Sequence, residues 1–225
     1  MKTMARTLGT ALLVVSLHAP AQAGVLKHWG FQAGLTWASQ KWEHPAIPND
    51  DFSWKSGFQG GVFTEWLDHR FLSVRAAVQY ERKGTAYTTE VTDLMGRSQG
   101  EQTFYSTLDY LSVPVLLKAT TGSLPVAAYV VAGPRVDFLL GYGKDDLIWG
   151  IEDDYKNVSF GLSGGLGVEM PVSGIGQLFF EVVYNYDLSQ LYETTVPAGS
   201  IFGNTTDVPF RIKNESFLVT AGVGL

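Results

Sequence analysis

The chain has no cysteine among its 225 residues. This excludes a disulfide framework, a thiolate metal site and the lipid-modified cysteine of a lipoprotein. Long apolar runs are also absent, because the longest one beyond the N-terminal segment covers only residues 124–134. A helix needs roughly 20 apolar residues to cross a bilayer. Cations are scarce too, with 16 Lys and Arg against 22 Asp and Glu, so a nucleic-acid partner is not expected.

Residues 1–23 are predicted to be a cleaved signal peptide. Lys2 and Arg6 supply its positive start, residues 8–17 are mostly apolar, and Ala21-Gln22-Ala23 is a small-residue cleavage site. The apolar segment is too short for a membrane anchor. Residues 24–225 would then form a single mature domain, whose formal charge changes from −6 to −8 with the loss of the two cations.

Beyond residue 24, apolar and polar residues alternate over stretches of about ten residues, as in transmembrane β-strands. Eight strands are predicted, at 26–38, 55–66, 70–83, 105–118, 126–140, 158–170, 177–187 and 215–225. The gaps between them alternate long and short, which is typical of long extracellular loops and short periplasmic turns. The sequence therefore predicts an all-β, eight-stranded antiparallel up-and-down transmembrane β-barrel, integral to the outer membrane with both termini periplasmic.

The fifth strand is less regular than the others. Tyr129 and Val131 share a parity with Arg135 and Asp137, so the four cannot all face lipid. We expect a β-bulge at Gly133-Pro134 to reset the register, because proline cannot donate to the ladder and glycine tolerates the bend.

Charged residues occupy the centres of several strands on the polar face, where a soluble β-sandwich or lipocalin-like barrel would be apolar. In a small membrane barrel they can pair inside the lumen. The predicted lumen charge network consists of Glu65, Arg75, Glu81, Lys118, Glu169 and Glu181. Because eight strands leave an interior that side chains fill, a general diffusion pore is not expected. A narrow path for ions or small solutes is the alternative.

Outward-facing aromatic residues are predicted to form two girdles at the headgroup levels of the membrane. Trp29 and Trp66 belong to the short-turn end, and Trp37, Tyr80, Phe160 and Tyr186 to the long-loop end. Further large apolar residues fall in the predicted outer loops, where they either form a binding surface or cap the lumen. These are Trp42, Phe52, Trp54, Trp149, Ile201 and Phe202.

Several segments resemble the small porin-like outer-membrane β-barrel family (the PorT-like group). They are YLSVPVLLK at 110–118, YVVAGPRVDFLLG at 129–141, FGLSGGLGVEM at 160–170, FFEVVYNYDLSQL at 179–191 and the closing FLVTAGVGL. The resemblance covers most of 24–225 and implies the barrel fold, but it says little about activity. The last residue, Leu225, departs from the terminal aromatic residue that is usual in such barrels.

Neither a catalytic nor a metal site is predicted. Lipid ester chemistry would need a serine with a histidine and an acid, and the histidines at 28, 44 and 69 do not combine with a serine near the outer rim. The third long loop is acidic, but it lacks EF-hand spacing and is interpreted as solvated charge, with Ca²⁺ or lipopolysaccharide bridging as the alternative. Its carboxylates are Asp145, Asp146, Glu152, Asp153 and Asp154.

Taken together, these features predict a non-enzymatic barrel that needs no cofactor, stabilises the envelope and presents its outer loops for adhesion or ligand contact. The alternatives are a narrow channel and, less favoured, a lipid-modifying enzyme. The expected partners are outer-membrane lipids and lipopolysaccharide, together with periplasmic chaperones and the barrel-assembly machinery. The sequence does not specify an extracellular ligand.

Overall fold

A computed structural model describes residues 26–43, 52–69, 71–93, 95–121, 125–143, 155–198 and 206–225. The predicted signal peptide lies outside these ranges. The described residues form nine β-strands: β1 (Leu26–Glu43), β2 (Phe52–His69), β3 (Leu72–Thr92), β4 (Ser98–Thr120), β5 (Ala127–Gly143), β6 (Val158–Val172), β7 (Gly176–Asp187), β8 (Tyr192–Ala198) and β9 (Thr206–Gly224). Within the described ranges, no helix has the length and apolar character to span a bilayer.

Eight of the strands close into a barrel. Each of β1 to β6 pairs antiparallel with the next strand, β7 pairs with β9, and β9 pairs back with β1. The ninth strand, β8, pairs with residues 206–212 of β9 and lengthens the wall beyond the end of β7. The predicted eight-stranded antiparallel up-and-down barrel is confirmed. The additional strand β8 was not predicted, since its segment lies in the long gap before the last alternating stretch.

On the barrel strands many buried side chains are polar and the exposed ones are largely apolar, which is the reverse of the arrangement in a soluble protein. On β3, Arg75 and Glu81 are buried inside the barrel, whereas Val78 is 46% exposed on the outside. Leu166 on β6 is 65% exposed, and its strand neighbours Gly165 and Gly167 face inwards. An apolar outer face and a polar interior are the arrangement that hydrocarbon outside the wall stabilises.

The expected bulge at Gly133-Pro134 is wrong. The β5–β6 ladder runs in unbroken register from Ala127↔Glu169 to Phe138↔Val158. Tyr129, Val131, Arg135 and Asp137 therefore all face the lumen, and all four are buried. The physical reason is that the lumen accommodates apolar and aromatic side chains at this level as well as charges, so no reversal of the strand's faces is required.

Gly133 serves a different purpose from a bulge. A Cβ atom at this position would lie 2.1 Å from the Val115 carbonyl oxygen of β4, so the absent side chain permits the close approach of the two strands. The register shift in the β4–β5 ladder lies instead between Asp109 and Tyr110, nearer the outer end.

The expected long loops are in part strands. Residues 84–104 were predicted to be a loop, but β3 continues to Thr92 and β4 begins at Ser98. This hairpin projects beyond the barrel, and Asp93 orders its tip by accepting hydrogen bonds from the backbone amides of Met95 and Arg97. At the opposite end, the short β6–β7 turn uses Gly174 and Gly176 with φ of 78° and 117°, values that glycine adopts without strain.

Candidate functional site

The lumen holds two separate clusters of buried charge. The first, called here the inner cluster, lies towards the short-turn end and consists of Glu65, Arg75, Lys118, Glu169 and Glu181. Its centre is Lys118, which is 1% exposed. The Lys118 Nζ lies 3.0 Å from Glu65 Oε2 and also contacts Glu169 Oε2.

Two further residues complete the surroundings of Glu65. The Ser73 hydroxyl donates to Glu65 Oε1 at 2.7 Å. The half-buried Lys27 ammonium lies 3.4 Å from the same oxygen, at the edge of the lumen. Because Glu65 receives a hydroxyl and two ammonium groups, its charge is compensated despite its burial.

Arg75 lies on the side of the inner cluster that faces the long-hairpin end of the barrel. Its Nη1 donates to Glu181 Oε2 at 2.8 Å, and its Nη2 lies 3.6 Å from Glu65 Oε2. The guanidinium carbon is also 4.6 Å, 5.3 Å and 5.4 Å from the ring centres of Phe179, Phe63 and Tyr129. Cation–π attraction of this kind strengthens as the cation loses water, and Arg75 is only 3% exposed.

The second cluster, called here the outer cluster, lies towards the long-hairpin end and consists of Glu81, Lys83, Arg135, Asp137 and Asp187. Lys83 Nζ is 2.7 Å from Asp137 Oδ2 and 3.8 Å from Glu81 Oε1. Arg135 Nε is 3.2 Å from Asp137 Oδ2, and its Nη2 contacts Asp187 Oδ1. Each cluster therefore contains three carboxylates and two cations.

The predicted set of six lumen residues is thus divided between two levels. Five of them meet in the inner cluster, but Glu81 belongs to the outer one, where it also accepts from Ser216 at 3.1 Å. Sequence reasoning missed Arg135 and Asp137 as network members because the expected bulge would have turned that part of β5. Lys83 and Asp187 share the parity of Glu81 and Glu181 on their strands, and that signal could have identified them.

The six girdle residues all lie on the outward parity of their strands. Trp29, Phe160 and Tyr186 are exposed, and Trp37, Trp66 and Tyr80 are partly so. Tyr80 donates to Asp109 Oδ1 at 2.5 Å. Trp54 is placed in β2 rather than in a loop, and its ring lies 5.4 Å from that of Phe217 on the outer wall.

The remaining loop predictions can be placed only in part. Trp42 and Phe52 lie within β1 and β2. Trp149, Ile201, Phe202, His44 and the acidic residues of the third loop lie outside the described residues. Within the described part of the chain, no group of three or more histidines, cysteines and carboxylates could hold a metal ion.

A compact apolar cluster, called here the outer cap, covers the lumen above the outer cluster. Tyr110 connects the two, since the Lys83 ammonium lies 5.0 Å from the centre of its ring. The cap brings together β4, β8, β9 and the segment just before β6, and its buried members are Leu108, Tyr110, Tyr155, Leu191, Tyr192, Phe210 and Ile212.

Small cavities lie inside the described barrel, and two of them border the inner cluster. The cavity towards the long-hairpin end, called here the upper cavity, has a volume of about 20 Å³, and its lining includes Gln79, Ser163 and Thr220. The cavity towards the short-turn end, called here the lower cavity, has a volume of about 10 Å³, and its lining includes His28, Glu65 and Gln177. A single water molecule needs about 10–15 Å³ measured in this way, so each cavity has room for only one or two waters.

Similarity to solved structures was found for small outer-membrane proteins. The outer membrane protein OprG of Pseudomonas aeruginosa is 12% identical with a TM-score of 0.47, and the match covers 90% of this chain and 97% of that one. Ail, the attachment invasion locus protein of Yersinia pestis, is 11% identical with a TM-score of 0.42, covering 90% and 99%. Outer membrane protein W of E. coli is 18% identical with a TM-score of 0.33, covering 88% and 97%.

A search of curated proteins gave no match. The family profile described as the outer membrane protein beta-barrel domain matches residues 28–193, from the first strand of the barrel to the start of β8. This match spans most of the chain and includes every residue of the inner and outer clusters. The chain is an integral outer-membrane protein and belongs to the outer membrane protein beta-barrel domain family.

Proposed function

We propose that this protein is a closed, non-enzymatic barrel that stabilises the outer membrane and presents its projecting hairpins to the exterior for adhesion or ligand contact. Both termini would lie on the periplasmic side. The carrying observation is the filled lumen: two charge clusters and the outer cap occupy it, and the two cavities that border the inner cluster, of about 20 and 10 Å³, hold one or two waters each.

The distribution of polar surface supports an outward-directed role. The β3–β4 hairpin has exposed residues from Met95 to Thr103, and Thr88 and Thr103 form a cross-strand hydroxyl pair at 3.0 Å. Backbone pairing and the bonds of Asp93 fix this hairpin beyond the membrane-spanning wall. A rigid, polar projection of this kind is suited to contact with molecules outside the cell.

The non-enzymatic part of the proposal draws support from the hydrogen bonding of a buried serine in the inner part of the lumen. Ser73 donates to Glu65, which is itself paired with Lys118. A serine nucleophile would instead need a histidine base within hydrogen-bonding distance.

Two measurements test the proposal. Refolded protein in planar bilayers should show no unit conductance, and cells that lack the gene should lose binding of extracellular ligands without a change in solute permeability. Steady conductance of the wild-type protein would instead favour the narrow-channel function. Fractionation should recover a mature chain starting at Gly24 in the outer membrane, and recovery in the soluble periplasm would contradict both functions.

A further inference from the structure

Arg75 lies between the upper and the lower cavity. It borders the upper cavity together with Gln79 and Ser163, and it borders the lower cavity together with His28 and Glu65. Of the residues that line these two cavities, Arg75 is the one that they share. Its guanidinium group therefore lies at the level where a continuous file of water would have to pass.

The surroundings of this guanidinium group form a cage for a cation. Three aromatic rings approach it within 5.4 Å, and Phe63 and Phe179 meet edge to face at 5.4 Å. Glu181 supplies the close carboxylate and Glu65 a second one. The buried Arg75 Nε has no hydrogen-bond partner among the described residues, so rings rather than acceptors surround that side of the group.

The lower cavity lies at the short-turn end, since its lining includes residues at the beginning of β1 and β7 and at the end of β9, namely His28, Gln177 and Gly224. Glu65 and Glu169 also line it. Without Arg75 the three carboxylates of the inner cluster would face only Lys118 inside the lumen and Lys27 at its edge. This surplus of negative charge attracts cations and excludes anions. The lumen thus resembles a path for cations in which one position is taken by a tethered cation.

We propose that Arg75 is the closure of a narrow cation path: its guanidinium group fills a cage of three aromatic rings and two carboxylates and so seals a cation-attracting vestibule at the short-turn end from the upper cavity. This goes beyond the proposed function, which requires only that the lumen be closed. It assigns the closure to one side chain and identifies the excluded class of solute as small cations.

The absence of cysteine makes the proposal testable by thiol labelling. Ser163→Cys places a thiol in the upper cavity, and Gln177→Cys places one in the vestibule. The small cationic reagent 2-aminoethyl methanethiosulfonate should label the Gln177→Cys protein readily but not the Ser163→Cys protein. Adding Arg75→Ala should raise the labelling rate at 163 by roughly tenfold or more, because the reagent no longer has to displace a buried ion pair.

General loosening of the barrel is controlled with Ser112→Cys, a fully buried position opposite Asp137 in the outer cluster. It should stay unlabelled with or without Arg75. Three results would each overturn the proposal. They are labelling of Ser163→Cys while Arg75 is present, continued protection of Ser163→Cys after Arg75→Ala is added, and equal labelling of Ser112→Cys and Ser163→Cys. These outcomes are independent of wild-type conductance, so the failure of the closure at Arg75 and the failure of the closed-barrel function are distinguishable.

The cage itself is tested by chemical complementation. Guanidinium ion at non-denaturing concentration should slow labelling of Ser163→Cys in the Arg75→Ala protein, because it can occupy the position of the lost side chain. Urea, a neutral molecule of the same shape, should not. Equal effects of the two compounds would overturn the cage. If Arg75→Ala does not fold, Arg75→Lys provides the comparison: it keeps the charge but fills the cage less completely, and should give intermediate labelling.

Discussion

Arg75 stands directly opposite Glu65 on the β2–β3 ladder, but its shorter bond reaches across the lumen to Glu181 on β7. The Nη1–Oε2 distance to Glu181 is 2.8 Å, against 3.6 Å between Nη2 and Glu65 Oε2. The arginine therefore connects neighbouring strands and opposite walls at once. Its loss would remove the paired cation of Glu181 and would leave Glu65 with its lysine partners, Lys118 and Lys27.

Arg75→Ala should lower the free energy of unfolding by about 3–5 kcal/mol, since it leaves the buried Glu181 carboxylate without its paired cation. Urea unfolding in detergent or lipid measures the change. Removing the charge of the partner should restore part of the loss, so that Arg75→Ala with Glu181→Gln is more stable than Arg75→Ala alone. Glu81→Gln is the matched control, because Glu81 belongs to the outer cluster and should bring no recovery. Equal recovery from both would contradict the division into two clusters.

Val182 lies midway along the lipid-facing side of β7 and is exposed. Val182→Arg should cost about 2–4 kcal/mol, because the charge must enter the hydrocarbon core. Val158, also exposed, begins β6 at its outer end, and Val158→Arg should cost only about 0–1 kcal/mol because it lies near the interface. Equilibrium unfolding in vesicles compares the two, and equal costs would show that the assigned membrane depth is wrong.

Gly133→Ala should destabilise the barrel by about 1–3 kcal/mol, since the added Cβ meets a backbone carbonyl that can move only with its strand. Its closest approach is the 2.1 Å to Val115 O. Gly164, on the neighbouring strand, is the control, because an added Cβ there has only the Val131 carbonyl oxygen nearby, at 4.0 Å. A Gly133→Ala protein as stable as Gly164→Ala would argue against the close β4–β5 contact.

The pKa of Asp93 is lowered from its ordinary value of 3.8 by hydrogen bonds from the backbone amides of Arg97 and Met95 and from the Arg97 side chain. Because the folded-state pKa is depressed, the order that Asp93 gives to the hairpin tip is present above pH 3.8. It is lost as the pH falls through the folded value. The protection of the Arg97 amide, which is its measured exchange rate compared with the intrinsic rate at the same pH, should fall on that acid side. Asp93→Asn retains an acceptor but should remove the pH dependence, and an unchanged pH profile would contradict the assignment.

The wall of the barrel was largely predictable because the apolar–polar alternation within a single strand distinguishes its lipid-facing residues from its lumen-facing residues. The alternation on β3 assigns Val78 to lipid and Arg75 to the lumen without any knowledge of the other strands. Partners across the lumen are a different matter. Which carboxylate meets Arg75 depends on the stagger of strands around the ring, and Glu181 lies 106 residues away in the chain. No local pattern encodes that distance.

The wrong bulge at Gly133-Pro134 and the missed strand β8 have the same physical origin, which is that only lipid-facing positions are required to be apolar. A lipid-facing position must be apolar, but a lumen-facing one need only be compatible with its neighbours, so Tyr129 and Val131 gave an ambiguous signal. Both pack inside with Phe63, Phe179 and Leu218. The strand β8 was missed because it pairs outside the membrane-spanning wall, where neither face is required to be apolar.

The seam between β1 and β9 joins the two ends of the described chain over fourteen consecutive rungs, from Gly30↔Gly224 to Glu43↔Arg211. The last contacts that the ring requires are therefore those most distant in sequence, and closing them carries the largest loop entropy. Until this seam forms, β1 and β9 each expose an unpaired edge that hydrocarbon does not tolerate. We therefore expect insertion into the bilayer and closure of the β1–β9 seam to be coupled, because an open barrel would expose these edges to hydrocarbon.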